Sequence, residues 1–227
     1  MDNISINKAN YLYWLGRYAE RAYTTIAYLR RFYDEMVDKN QDAYLEFCSR
    51  LGVINNYSDK RDFVKRFISD EESEISIAYY IGKTYDNGMV LRDTITSKTL
   101  SYIQLACNDL KKCYNSQEYV VVNLQSVTDD LIAFWGAVDD YILENDARDL
   151  IKAGKYIERI ELYNRFDESK KLKKAAIERL YRYAVNLKIN ENTSKQVKFI
   201  VSEDMSEYNS ITVSYTHLRA HETSAHL

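Results

Sequence analysis

Two clusters of acidic and basic side chains with the same spacing are the residues best placed to do chemistry in this chain. Gly16-Arg17-Tyr18-Ala19-Glu20-Arg21 and Gly154-Lys155-Tyr156-Ile157-Glu158-Arg159 share the pattern Gly-(Arg/Lys)-Tyr-x-Glu-Arg, with an offset of 154 − 16 = 138 residues. On a helix, residues four apart share a face, so Gly16 stands over Glu20 and Gly154 over Glu158. Arg17 and Arg21 straddle the first glutamate; Lys155 and Arg159 straddle the second. Grouped arginines hold a carboxylate or a phosphate through forked hydrogen bonds. Arg17, Glu20, Arg21, Arg92, Lys155, Glu158 and Arg159 are therefore the candidate binding residues. The preferred reading of the clusters is structural. Each glycine admits a neighbouring helix closely, Tyr18 and Tyr156 pack while their hydroxyls find polar partners, and the charges fix helix register. No catalytic residue is assigned.

Other chemistry finds little support. No glycine-rich phosphate loop, Gly-x-Ser-x-Gly elbow or His-Glu-x-x-His pair occurs. All three histidines (His217, His221, His226) lie in the last eleven positions, which leaves nothing for a helical di-iron centre. Cys48, Cys107 and Cys113 lack a histidine to activate them, and Cys107 and Cys113, six apart, do not make a zinc pair. No metal and no cofactor is expected. The end of the chain, SYTHLRAHET, reads as a translated linker remnant, so residues 1–210 are taken as the domain and 211–227 as a non-native tail; a natural disordered tail is the alternative.

The elements that must position the clusters are helices. The chain has 227 residues, no proline and six glycines, which favours long helices. Tyr11, Leu15, Tyr18, Ala22, Ile26 and Leu29 trace one face of a helix over about 7–38, capped by Ser5 or Asn7. QDAYLEFCSRL and DKRDFVKRFIS are shorter amphipathic helices, the first ending at Gly52. Glu71, Glu72 and Glu74 fit the first turn of the next helix, and Asn87-Gly88 marks a kink or junction within that region. YVVVNLQSV has strand propensity but reads better as the start of a buried helix. Asn145-Asp146 caps the helix of the second cluster. DESKKLKKAAIERLYRYAVNL follows with Leu172, Ala176, Leu180, Tyr183 and Leu187 inward, and TSKQVKFIVSED begins one more. The fold class is all-α, a multi-helix bundle with an internal pseudo-repeat of the clustered helix.

Charge and hydropathy narrow the partners. A net charge of −3 gives no general attraction for nucleic acid or anionic membrane. Lys170, Lys171, Lys173, Lys174, Arg179 and Arg182, with Tyr181 and Tyr183 among them, make a basic helix that reads as a solvated face, with recognition of an acidic partner or nucleic acid as the alternative. LIAFWGAV is too short to span a bilayer, and free thiols fit a reducing cytoplasm.

The residues resemble a known family. YLYWLGRYAERA looks like the signature of the bacterial alpha-E proteins. SDEESEISIAYYIGKTYDNGMVLRDTITSKT is similar to the family's central segment, where an Asn and an Arg precede an Ile-Ser pair. Asn87, Arg92 and Ile95 match; Thr96 stands in place of the serine, and Thr99 and Leu100 occupy the region of the family's Glu and Trp. FWGAVDDYILENDARDLIKAGKYIERIELYNRF matches the second signature, with Lys155 in place of arginine. The resemblance spans roughly 7–201 and implies a helical domain with no established reaction, in a chain expected to lack its final helices. It also implies gene neighbours: an ATP-grasp-like amide ligase and a transglutaminase-like cysteine protease. A protein partner of that kind is the expectation, with a helical interaction module as the preferred function and a small-molecule binder or enzyme as the alternative.

Overall fold

The computed structural model describes residues 4–115 and 120–187, and within them the chain forms eight helices and no strand. They are α1 (Ile6–Asp38), α2 (Ala43–Leu51), α3 (Lys60–Ser69), α4 (Ile77–Val90), α5 (Arg92–Asn115), α6 (Val120–Tyr141), α7 (Asn145–Arg165) and α8 (Lys170–Asn186). The all-α expectation is met, and the valine run is helical from Val120 onward.

The caps follow local chemistry. Ser5 accepts from the Lys8 amide at 3.2 Å and starts α1. Asp59 accepts from the amides of Arg61 and Asp62 and starts α3. Gly52, at φ 71°, ends α2 in the left-handed region that a side chain disfavours. Three expectations are corrected. Glu71, Glu72 and Glu74 precede α4 rather than occupying its first turn, because the Ser76 hydroxyl takes the Tyr79 amide and sets the start there. α4 runs through Asn87-Gly88: Gly88 is buried against Leu100, Ile103 and Ile95, so its missing side chain serves packing rather than a turn. Glu144 precedes α7 without a side-chain cap, and Asn145 Oδ1 accepts from Arg148 instead.

Packing places α1 at the centre, in contact with α2, α4, α6 and, most extensively, α7. α5 lies along α6, and α8 covers the outer side of α7. The second half of α1 packs with α2, α3 and α4 around Phe32, Phe47, Phe63, Phe67 and Phe166. Its first half joins α5, α6 and α7 around Leu12, Leu15, Ile95, Phe134 and Ile151. Of the inner positions expected on α8, Ala176, Leu180 and Leu187 are buried, whereas Leu172 is exposed and Ile177 and Ala184 take its share. TSKQVKFIVSED and the 211–227 tail lie outside the described residues.

Candidate functional site

The close approach of α1 and α7 begins with two glycines. A Cβ built on Gly16 would overlap the Ile151 carbonyl oxygen and stand 3.1 Å from the Lys155 amide nitrogen. A Cβ on Gly154 would overlap the Tyr13 carbonyl oxygen and stand 3.2 Å from the Arg17 amide nitrogen. Tyr13 and Ile151 are themselves 138 apart, as are Arg17 and Lys155, so each helix meets the other through corresponding positions. Backbone lies on backbone, which a larger residue would prevent. The helices run in the same direction: Lys8 pairs with Glu144 at their beginnings (3.3 Å) and Arg31 with Glu168 at their ends (3.1 Å).

Side by side in that way, the two clusters exchange partners. Glu158 Oε2 accepts from Arg17 Nε at 2.6 Å and Arg21 Nη2 at 2.9 Å, and its Oε1 accepts from Arg21 Nε at 2.5 Å. Arg17 also donates to Glu161 at 2.7 Å and to the Tyr13 hydroxyl at 3.0 Å. Glu158 is 1% exposed. Burial alone would raise its pKa, but the two guanidinium groups override that and hold the carboxyl well below its usual range. Burial pushes the neighbouring Glu161 carboxyl up in spite of Arg17. This half holds two guanidinium groups and two carboxylates.

The other half is built from Glu20. Its Oε1 accepts from Thr24 Oγ1 at 2.7 Å and from Arg159 Nε at 2.5 Å, while its Oε2 is buried with no hydrogen-bond partner. Lys155 is 7% exposed and has no hydrogen bond or ion pair among the described residues. Its Nζ stands 3.9 Å from the centre of the Trp135 ring. Burial pushes the amine down to about 7; Glu20 opposes the shift, and Arg159 and Lys152 add to it. Lys152 Nζ, 5.5 Å from the same ring, donates to Asp139 at 2.7 Å. Burial would lower the Arg159 pKa, but Glu20 more than offsets it.

The structure thus brings together Arg17, Glu20, Arg21, Lys155, Glu158 and Arg159. Arg92 stands elsewhere, exposed at the start of α5, with its neighbour Asp93 as its ion-pair partner at 4.0 Å. Tyr18 packs against Trp14 and Tyr79, and Tyr156 stacks on Tyr183 of α8 at 5.7 Å. Tyr13, Thr24 and Glu161 were missed by sequence reasoning although their spacing carried a signal. Each lies three or four residues from a cluster residue on its own helix, and so on the same face. Lys152, three residues before Lys155 on α7, carried the same signal, whereas Trp135 and Asp139 come into the site from α6, which no spacing announces.

The arrangement is an inter-helix lock: five of the six cluster charges pair across α1 and α7, largely away from water, while Lys155 lies on the Trp135 ring. A groove of about 430 Å³ lies instead between α4 and α5, lined by Gly82, Lys83, Asp86, Gln104, Cys107 and Asn108 among others, and by none of the cluster residues. Burial raises the Cys107 thiol to about 11, so at neutral pH it holds its proton. Among the described residues no group of three His, Cys, Asp or Glu could hold a metal ion, and no helix is long and apolar enough to cross a membrane.

Comparison with known proteins agrees with this geometry. The Alpha-E family, described as a predicted alpha-helical domain with a conserved ER motif, matches residues 7–207, a span containing both Glu20-Arg21 and Glu158-Arg159. No curated protein and no solved structure matches. Matched over residues 7–207, with no strand among its described residues and Glu-Arg pairs joining α1 to α7, this chain belongs to the Alpha-E family.

Proposed function

We propose that this Alpha-E domain is a non-catalytic helical interaction module, serving an ATP-grasp-like amide ligase and a transglutaminase-like protease in the bacterial cytoplasm. The observation that supports this reading is the mutual consumption of the motif charges. Glu158, Arg17, Arg21, Glu20 and Arg159 form ion pairs with one another across α1 and α7 with side chains no more than 16% exposed. Residues so occupied hold an architecture together, and the outer surface is left to meet a partner. The same-offset contacts further support an internal repeat, in which α1 and α7 are equivalent helices related by the duplicated motif. The alternative, a small-molecule site or enzyme using both clusters in a shared pocket, requires accessible space beside them. The α4–α5 groove does not supply it.

The test is affinity capture of the full-length protein from a host that encodes it, followed by mass spectrometry. Recovery of an ATP-grasp-like ligase or a transglutaminase-like protease in stoichiometric amount supports the module. Purification of the protein without either overturns it.

A further inference from the structure

The two halves of the lock differ at the residues that matter for charge. Arg17 has three acceptors: Glu158, Glu161 and the Tyr13 hydroxyl. Moved by 138 residues, Arg17 becomes Lys155, Glu161 corresponds to Tyr23, and Tyr13 corresponds to Ile151. The Glu20 half has therefore lost both additional acceptors and has exchanged a guanidinium that never titrates for an amine that does. Two cations, Lys155 and Arg159, face one carboxylate there. Two buried polar atoms stand without a hydrogen-bond partner on the residues that flank the buried Lys155 amine: Glu20 Oε2 and Trp135 Nε1. Buried polar groups are almost always paired, so two around one buried amine call for a cause.

We propose that Lys155, Glu20 and Trp135 form a proton-binding site that works as a latch between α1, α6 and α7. With the amine neutral, one cation and one carboxylate remain, the charges balance, and Lys155 lies on the Trp135 ring. Proton uptake makes an ammonium that needs an acceptor; Glu20 Oε2 is the free one, and Lys155 moves from the ring toward it. The groups that face the amine have opposing effects. Glu20 from α1 and Asp139 from α6 favour the proton, while Arg159 and Lys152 on α7 disfavour it, and burial disfavours it most. On the outer side, Tyr156 carries the Tyr183 ring and stands 5.9 Å from Arg179 of α8. The face of Trp135 also attracts the cation, but of the two only Glu20 Oε2 offers it a hydrogen-bond acceptor. The site stands apart from any partner reading, since it needs only this chain.

The experiment is NMR on the full chain with labelled lysine side chains and labelled indole nitrogens, titrated from pH 5 to 10. Lys155 is assigned by Lys155→Arg, which keeps the site charged, and by Lys155→Met. The chain has two tryptophans, so the Trp135 indole signal is readily followed. The expected result is one lysine titrating at least two pH units below the others, with the Trp135 indole shifting at the same midpoint and remaining still in Lys155→Arg. Lys155 titrating together with the exposed lysines overturns the proposal. So does a low Lys155 midpoint with a Trp135 signal that does not move. Should Lys155→Met not fold, the Lys155→Arg comparison alone decides between these outcomes.

Discussion

Gly16 and Gly82 show what a helical glycine does when it is needed and when it is not. Gly16 puts its α-hydrogen side on the Ile151 carbonyl, whereas a Cβ at Gly82 would meet nothing within 4 Å. Gly16→Ala forces two backbones apart and is expected to cost about 3 kcal/mol, the upper end for overpacking. Gly82→Ala removes a helix-weakening residue at no steric cost and is expected to gain about 1 kcal/mol. Urea unfolding of the two variants beside the parent checks both signs. The first glycine was legible in the sequence because it recurs with its Glu-Arg partners at Gly154. What the sequence could not carry was the identity of the opposite surface. A glycine spacing says that something approaches, not that the approaching group is a carbonyl of the helix carrying the second motif.

Among the elements, α5 departs from regular geometry. Thr96 has φ 68° and ψ 155° inside the span, a region that β-branched residues rarely adopt. It divides α5 into a short first turn and a long second piece. The Thr99 hydroxyl reaches the Ala137 carbonyl of α6 at 3.4 Å across that break. Strain of this kind costs roughly 1–3 kcal/mol. Thr96→Gly, which relieves it, is expected to raise the thermal midpoint, while Thr96→Val, which keeps the strain and removes the hydroxyl near Thr99, is expected to lower it. Calorimetry distinguishes them. Ile95 and Thr99, on either side of the break, are both buried. The break itself was hidden because neither glycine nor proline marks it. Helix existence followed from apolar spacing throughout, as in α1 and α7, but the starts followed from hydroxyl caps such as Ser76, which compete with nearby glutamates for the same role. Arg92 was grouped with the clusters by the resemblance of its surroundings alone, and helix α5 carries it to the surface.

For the whole molecule, the joining of α1 to α7 is the decisive contact, because the intervening helices are arranged around it. Its pH response follows from Lys155. The amine is near 7 when folded and at its ordinary value of 10.5 when unfolded, so between those pH values the unfolded chain binds a proton that the folded chain does not. Stability from this group therefore rises with pH across that window and is constant below about 7. Lys155→Met is expected to remove the rise and to be the more stable protein at pH 6, as read from urea midpoints across the range. The fold class and the two clusters were legible in the sequence; the parallel, partner-exchanging arrangement was not, since spacing within a helix favours the local pairs Arg17–Glu20 and Lys155–Glu158 equally well. The most direct measurement is a double-mutant cycle on Arg21 and Glu158, which lie on different helices and meet at 2.5 Å. Glu158→Gln alone leaves buried guanidinium groups uncompensated and is expected to cost about 3–5 kcal/mol. The two substitutions together are expected to cost less than their sum, with a coupling of about 2 kcal/mol. Effects that simply add, within about 0.3 kcal/mol, would contradict the claim that the paired motifs lock α1 to α7.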